Sequence, residues 1–141
     1  MTPALTLALL AVFGQVVLTF WAILTMGRKR LNSLKSRETD FSDIALNPMN
    51  FASDVRAWQN NAHNQFETPI LLYGGVALAA ALGAVNWGVG IGAALYFVSR
   101  LAHRMIHVGS NHLPTRFKIF VAGLGALALM WLSLGVALVV G

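Results

Sequence analysis

The stretch PALTLALLAVFGQVVLTFWAILTM, residues 3–26, contains no charged side chain and is followed by Gly27 and the basic run Arg28-Lys29-Arg30. At about 1.5 Å per residue, a helix of this length can cross the roughly 30 Å hydrocarbon core of a bilayer. The stretch has no basic segment before it, as a cleaved signal peptide would have, so we expect it to be retained. It predicts a first transmembrane helix over residues 3–26.

The chain as a whole shares the apolar character of this stretch. Of its 141 residues, 57% are hydrophobic and only 11% are charged, whereas charged residues make up roughly a quarter of a soluble domain. We therefore expect residues 1–141 to form one all-α membrane domain. Because the chain contains no cysteine, disulfides, thiolate metal ligands and cysteine nucleophiles are excluded.

Three further apolar segments follow the first one. After a polar cytoplasmic loop over residues 27–51, the hydropathy pattern predicts helices over residues 52–85, 87–108 and 114–140. The expected architecture is a bundle of four transmembrane helices. Pro69 lies within the second helix and predicts a kink there. The first turns of that helix carry a polar stripe at intervals of three and four residues: Arg56, Asn60, His63, Asn64 and Glu67.

The basic residues all flank the first and third connections. They are Arg28, Lys29, Arg30, Lys35, Arg37, Arg56, Arg100, Arg104, Arg116 and Lys118. The positive-inside rule therefore predicts that both connections are cytoplasmic and that the N- and C-termini lie outside the cytoplasm. Since the basic residues interleave with acids and border apolar segments, they indicate membrane topology and no nucleic-acid partner.

Several ionisable residues fall near the cytoplasmic ends of the second, third and fourth helices. Such residues are costly in a membrane and call for a partner or a function. We expect Arg104 and Lys118 to orient the protein by reaching lipid phosphates. In one interpretation Glu67 only neutralises Arg100. We favour a pocket, because a single counter-ion does not need a whole polar stripe beside it. Its cations, amides and one carboxylate suit a small zwitterion with more negative than positive groups.

Three short motifs give this pocket a family resemblance. They are Asn64-Gln65-Phe66-Glu67-Thr68-Pro69, Arg100-Leu101-Ala102-His103 and Pro114-Thr115-Arg116. In this order on successive helices they resemble the MAPEG family, the membrane-associated proteins in eicosanoid and glutathione metabolism, in a bacterial-type member. The resemblance implies a multi-pass protein of the bacterial inner membrane, assembled as a homotrimer. Glutathione would bind between neighbouring subunits as a co-substrate, and the second substrate would be a lipophilic small molecule from the bilayer.

The resemblance also implies roles for individual residues. Asn64 and Glu67 would hold polar groups of glutathione, and Arg100 and His103 would hold a carboxylate or support the pocket. Arg116 would be the catalytic residue, because a guanidinium near a thiol of pKa about 8.5 stabilises the nucleophilic thiolate. Arg28 or Arg30 of a neighbouring copy would supply a further cation.

The chain departs from the family pattern at two positions. Many members have an arginine four residues before the Asn of the Asn-x-x-Glu motif, where this chain has Asn60. Arg56 lies one turn earlier, about 5.4 Å away along the helix axis, and is a candidate replacement. Some catalytic members have a tyrosine one turn after the histidine of the third helix, where this chain has His107; we include His107 among the expected binding residues.

Three functions follow from these residues. The first is a glutathione transferase or peroxidase acting on lipophilic electrophiles. The second keeps the fold without turnover, as a protein that binds another small anion, a lipid or a partner, and the loss of arginine at Asn60 favours it. The third is a metal site on His103 and His107, which are spaced by one turn. Because the adjoining Arg100 and Arg104 would repel a cation, we expect no metal.

Overall fold

A computed structural model describes residues 1–45 and 47–140. Leu46, within the expected loop 27–51, and Gly141, the end of the expected domain 1–141, lie outside the described residues. The described residues contain no β-strand. Their helices are α1 (Pro3–Lys35), α2 (Phe41–Ala45), a 3₁₀ turn (Pro48–Asn50), α3 (Ser53–Glu67), α4 (Pro69–Ala81), α5 (Trp87–Val108) and α6 (Leu113–Val140).

The first helix is longer than the apolar stretch that predicts it. It begins after Thr2, whose hydroxyl accepts a hydrogen bond from the Leu5 N–H at 3.3 Å, and it continues past Met26 to Lys35. Arginine, lysine and leucine are good helix formers, and a basic residue in the last turn complements the helix dipole. The polar segment that we expected to be a loop is therefore helical over its first third.

The expected second helix is divided in two. Helix α3 ends at Glu67, and α4 begins at Pro69, which cannot donate a backbone hydrogen bond to the preceding turn. Thr68 between them keeps a right-handed helical backbone, and its hydroxyl lies 2.8 Å from the Tyr96 hydroxyl. Helix α4 ends at Ala81, earlier than the expected residue 85, because Gly83 adopts a φ of 65° in the following turn.

Helix α5 lies between α1 and α6 and packs closely on both. A Cβ atom on Gly90 would lie 2.8 Å from the carbonyl oxygen of Ala4, and one on Gly92 would lie 2.8 Å from that of Ala126. Small residues at helix contacts allow such close backbone approach in membrane proteins. The core also contains residues of α4: Leu72, Val76 and Ala79 with Val89, Ala93, Tyr96, Leu127, Met130 and Leu134.

Within residues 1–45 and 47–140, two helices, α1 and α6, are long and apolar enough to cross a membrane. Their most apolar windows have mean hydropathies of 2.3 and 2.2, and only 28% of each window is buried within the chain. A core helix of a soluble protein with this composition would be mostly buried. Large apolar side chains such as Val17 (68% exposed) and Leu132 (69% exposed) face outward. Apolar surface of this extent needs a membrane or another protein to cover it.

Candidate functional site

A cavity of about 200 Å³ lies where the end of α3, the C-terminal half of α5 and the start of α6 meet. We call it the α3–α6 cavity. Its lining combines one carboxylate, one cation, an amide and an imidazole with an apolar wall. The lining residues are Asn64, Glu67, His103, Leu113, Arg116, Phe117 and Phe120.

Two helix ends bring these polar residues together. Because Pro69 ends α3, Asn64 and Glu67 lie in its last turn, and they line the same cavity as Arg116 of α6. The connection between α5 and α6 is tight, and Asn111 adopts a φ of 50° within it. The side chain of Asn111 accepts a hydrogen bond of 2.6 Å from Arg116 Nη1. The first turn of α6 therefore holds Arg116 at the edge of the cavity.

Arg100 lies next to the α3–α6 cavity and contacts one of its lining residues. Its side chain is 3% exposed, and its Nη2 donates a hydrogen bond to the backbone carbonyl of Asn64. The last carbonyls of a helix lack partners within the helix and carry partial negative charge, so a buried cation is favourable at this position. Arg100 thus links α5 to the turn that carries Asn64 and Glu67. Its Nε is buried without a hydrogen-bond partner among the described residues.

The two histidines of α5 pack against each other. Their ring centroids lie 5.6 Å apart with an angle of 86° between the planes, and the ring of Phe120 lies 6.2 Å from that of His103. Nδ1 of His107 lies 3.5 Å from the side-chain nitrogen of Asn64. Nδ1 of His103 is buried and has no hydrogen-bond partner among residues 1–45 and 47–140. Within the same residues, no three metal-ligating side chains form a group that could hold a metal ion.

Arg104 does not reach toward lipid phosphates, and our prediction for it was wrong. The side chain is 1% exposed, and its Nη groups donate hydrogen bonds to Asn61 Oδ1 and, at 3.1 Å, to Thr25 Oγ1. Its guanidinium carbon lies 4.2 Å from the ring centroid of Trp21 and 5.7 Å from that of Trp58. Cation–π and hydrogen-bond contacts with two other helices, α1 and α3, make Arg104 part of the interior.

A second group of buried polar residues was not predicted either. Gln15 of α1 donates a hydrogen bond of 2.9 Å from Nε2 to Gln65 Oε1 of α3, and both side chains are buried. Gln65 in turn donates to the backbone carbonyl of Asn61 at 3.3 Å. The sequence contains one signal for this group, since Gln15 is one of the few strongly polar residues in the apolar stretch 3–26. An amide in a membrane helix is satisfied by a neighbouring helix.

Three predicted site residues lie away from the α3–α6 cavity in the single chain. Arg56 is exposed in the first turn of α3, and Arg28 is exposed near the end of α1. Arg30 lines a different cavity, with its guanidinium 5.3 Å from the ring centroid of Phe51. Asn60, where the resemblance led us to expect an arginine, is exposed. The predicted roles of Arg28, Arg30 and Arg56 remain predictions.

The arrangement can bind a small polar molecule next to an apolar one. Glu67 can accept hydrogen bonds from an ammonium group, and Arg116 can stabilise an anion at the same cavity. The rings of Phe117 and Phe120 line the same space and offer contact to an apolar group. Sites for small molecules combine a few placed polar groups with an apolar lining in this way.

Comparison with known proteins identifies the family of the chain. Residues 7–136 match the model of the MAPEG family, which covers nearly the whole chain. No curated protein and no solved structure matches the chain significantly. Members of this family are associated with membranes, which accounts for the exposed apolar faces of α1 and α6. On the match over residues 7–136, the chain belongs to the MAPEG family.

Proposed function

We propose that the chain is an integral membrane protein that binds glutathione and transfers it to lipophilic electrophiles, or uses it to reduce lipophilic peroxides. The observation that supports this proposal most is the presence of Asn64, Glu67, His103 and Arg116 around one cavity. These residues come from three helices, and the MAPEG match makes glutathione the expected polar ligand.

In the transferase reaction the chain would bind the peptide and stabilise its thiolate. Glu67 would accept hydrogen bonds from the ammonium group, and Asn64 would bind a backbone amide or carboxylate. Arg116 would lower the pKa of the thiol, because a nearby cation favours the charged form. The thiolate would form a C–S bond with the electrophilic carbon while the leaving group departs with its electron pair. The displaced thiol proton would pass to water.

The size of the cavity supports an oligomeric site. At about 200 Å³ it is smaller than the roughly 300 Å³ at the lower end of small-molecule pockets. We propose a homotrimer of four-span subunits in which a neighbouring copy completes the pocket. Arg28 or Arg30 of that neighbour would then supply the additional cation. Native mass spectrometry of the protein in mild detergent would test the trimer.

Titration calorimetry and a conjugation assay would test the proposed activity. The purified protein should bind glutathione at millimolar concentration or below and should conjugate it to a generic aryl halide. Arg116→Ala should reduce turnover at least tenfold, since it removes about 1.4 kcal/mol or more of thiolate stabilisation. Lys118→Ala, which removes the same charge two residues away, should have little effect. Lack of glutathione binding by the folded wild-type protein would contradict the proposal.

One observation favours a second function. The position of Asn60 carries no cation, and the exposed Arg56 lies two turns before Asn64, about 12 Å away along the axis. A site with fewer cations would bind glutathione weakly and could instead hold another small anion without turnover. Binding of glutathione or another anion by a protein that conjugates no electrophile would favour this non-catalytic function.

A further inference from the structure

The interior of the bundle contains a polar cluster that the proposed glutathione reaction does not use. Its four members come from α1, α3 and α5 and are each at most 1% exposed. Hydrogen bonds join them in the order Gln15, Gln65, Asn61 and Arg104. We call these four residues the α1–α3–α5 cluster. None of them lines the α3–α6 cavity.

The cluster extends from one edge of the hydrocarbon core toward its middle. Arg104 donates a hydrogen bond of 3.1 Å to the Thr25 hydroxyl, next to Met26, where the apolar stretch of α1 ends. Gln15 precedes Met26 by eleven positions, which is about 16 Å along a helix axis. Half of the hydrocarbon core is roughly 15 Å thick. Gln15 therefore lies near the middle of the bilayer.

Three polar atoms of the cluster are buried without a hydrogen-bond partner among the described residues. They are Gln15 Oε1, Asn61 Nδ2 and Arg104 Nε. The two nitrogens are donors, and the amide oxygen is an acceptor. Buried polar atoms are nearly always hydrogen-bonded, either to protein or to ordered water. Three such atoms in one connected cluster therefore indicate a bound molecule.

Water is the small molecule that matches these three atoms. One water can accept hydrogen bonds from donors and donate to acceptors at the same time. A halide ion could accept from Asn61 and Arg104, but it has no proton to donate to the Gln15 oxygen. A metal cation would be repelled by the guanidinium of Arg104. The mixture of donors and acceptors therefore favours water over either ion.

We propose that the α1–α3–α5 cluster binds one or more ordered water molecules within the membrane. The water would accept hydrogen bonds from Asn61 Nδ2 and Arg104 Nε and donate to Gln15 Oε1. It would also solvate the charge of Arg104, whose acceptors in the protein, Asn61 Oδ1 and Thr25 Oγ1, are both neutral. Buried waters commonly satisfy polar groups that the protein leaves unpaired. The site does not depend on glutathione binding.

Water-edited solid-state NMR of the isotope-labelled full chain in lipid bilayers would test the site. Magnetisation that starts on water should reach the side-chain amides of Asn61 and Gln15. The indole N–H of Trp131 serves as the dry control, because it lies in the apolar part of α6 and donates to the Leu71 carbonyl at 3.2 Å. It should receive no magnetisation from water on the same timescale.

A pair of variants separates internal water from water at the protein surface. Asn61→Leu removes a donor to the proposed water and should cause the loss of most of the transfer to Gln15. Asn60→Leu removes the neighbouring exposed amide and should leave that transfer unchanged. Circular dichroism should show that both variants keep the helical content of the wild type.

Three results would overturn the proposal. If Asn61 of the folded wild type receives no more magnetisation than Trp131, the cluster is dry. Equal losses of the Gln15 signal in Asn61→Leu and Asn60→Leu would place the water at the surface. A thermal midpoint that is higher in chloride than in gluconate for the wild type, but not for Arg104→Met, would show that an anion occupies the site.

Discussion

The hydrogen bond from Arg100 to the Asn64 carbonyl fixes the turn that carries two of the polar groups of the α3–α6 cavity. The bond joins α5 to α3 at a helix end, where the carbonyl would otherwise lack a partner. Arg100 is buried and Asn64 is half-buried, so loss of the cation leaves the Asn64 carbonyl without this partner. Arg100 therefore positions Asn64 at the wall of the cavity.

Arg100→Gln should destabilise the protein by about 1.5–3 kcal/mol, the usual contribution of a hydrogen bond to a charged group. Unfolding by sodium dodecyl sulfate, followed by tryptophan fluorescence, would measure this change. Arg100→Lys should recover part of the loss, because it retains the charge and one donor. Lys118→Gln serves as the exposed control. If Arg100→Gln is as stable as the control, Arg100 does not hold the end of α3.

The contacts of Arg104 lead to a second prediction for a single residue. Arg104→Met removes the charge and leaves Asn61 Oδ1 without its donor, which should cost about 1–3 kcal/mol. The emission of Trp21 and Trp58 should also change, because the guanidinium lies against both rings. A double-mutant cycle with Asn61→Ala should give a coupling energy of about 0.5–3 kcal/mol. Additive effects would show that the two side chains contribute independently.

The sequence identifies polar residues of the cavity, but it does not show which arginines are buried. Asn64, Glu67, His103 and Arg116 stand out because ionisable and amide groups are rare in apolar segments. Arg104 follows Arg100 by one helical turn and so shares its face, which is a signal of burial available in the sequence. Its aromatic neighbours come from α1 and α3 and are far away in the chain. Only the packing of the three helices shows that they enclose it.

At the scale of helices, Gly92 sets the distance between α5 and α6. A Cβ atom there would meet the Ala126 carbonyl at 2.8 Å and Met130 Cβ at 2.9 Å, closer than side chains approach without movement. Gly92→Ala should therefore lower the thermal midpoint by several degrees, since overpacking costs about 1–3 kcal/mol. Gly125→Ala, where the added Cβ meets nothing within 4 Å, is the matched control.

The test compares the thermal midpoints of Gly92→Ala and Gly125→Ala. Alanine is the better helix former, so Gly125→Ala should be neutral or stabilising by up to about 1 kcal/mol. Differential scanning fluorimetry in detergent would compare both variants with the wild type. Equal midpoints for Gly92→Ala and Gly125→Ala would mean that α5 and α6 do not depend on close contact at Gly92.

The sequence predicts which segments are helical more accurately than it predicts where each helix ends. The charge-free segments predict helices because apolar side chains can face lipid on every side. The end of α1 was misplaced because the basic residues after Met26 were interpreted as a loop, although they favour helix as well as water. The division of α3 from α4 follows from Pro69, yet the Thr68–Tyr96 contact that accompanies it joins this junction to α5, far away in the chain.

At the scale of the molecule, the one-sided distribution of lysine and arginine predicts the orientation in the membrane. The basic residues lie in the C-terminal part of α1, in the loop after it, in the first turn of α3, or on either side of the connection between α5 and α6. The short turn between α4 and α5 has none. The proposed glutathione cavity would then open at the cytoplasmic side, where cytosolic glutathione is available.

Cysteine labelling would test this orientation directly, because the chain contains no cysteine of its own. Single variants Ser42→Cys and Ser110→Cys lie in the expected cytoplasmic connections, and Ala84→Cys lies in the turn between α4 and α5. A membrane-impermeant maleimide added to intact spheroplasts should label Ala84→Cys alone, whereas permeabilised cells should show labelling of all three. Labelling of Ser42→Cys in intact spheroplasts would reverse the predicted topology. The α3–α6 cavity would then face away from the cytoplasm, and a role in cytosolic glutathione chemistry would lose its basis.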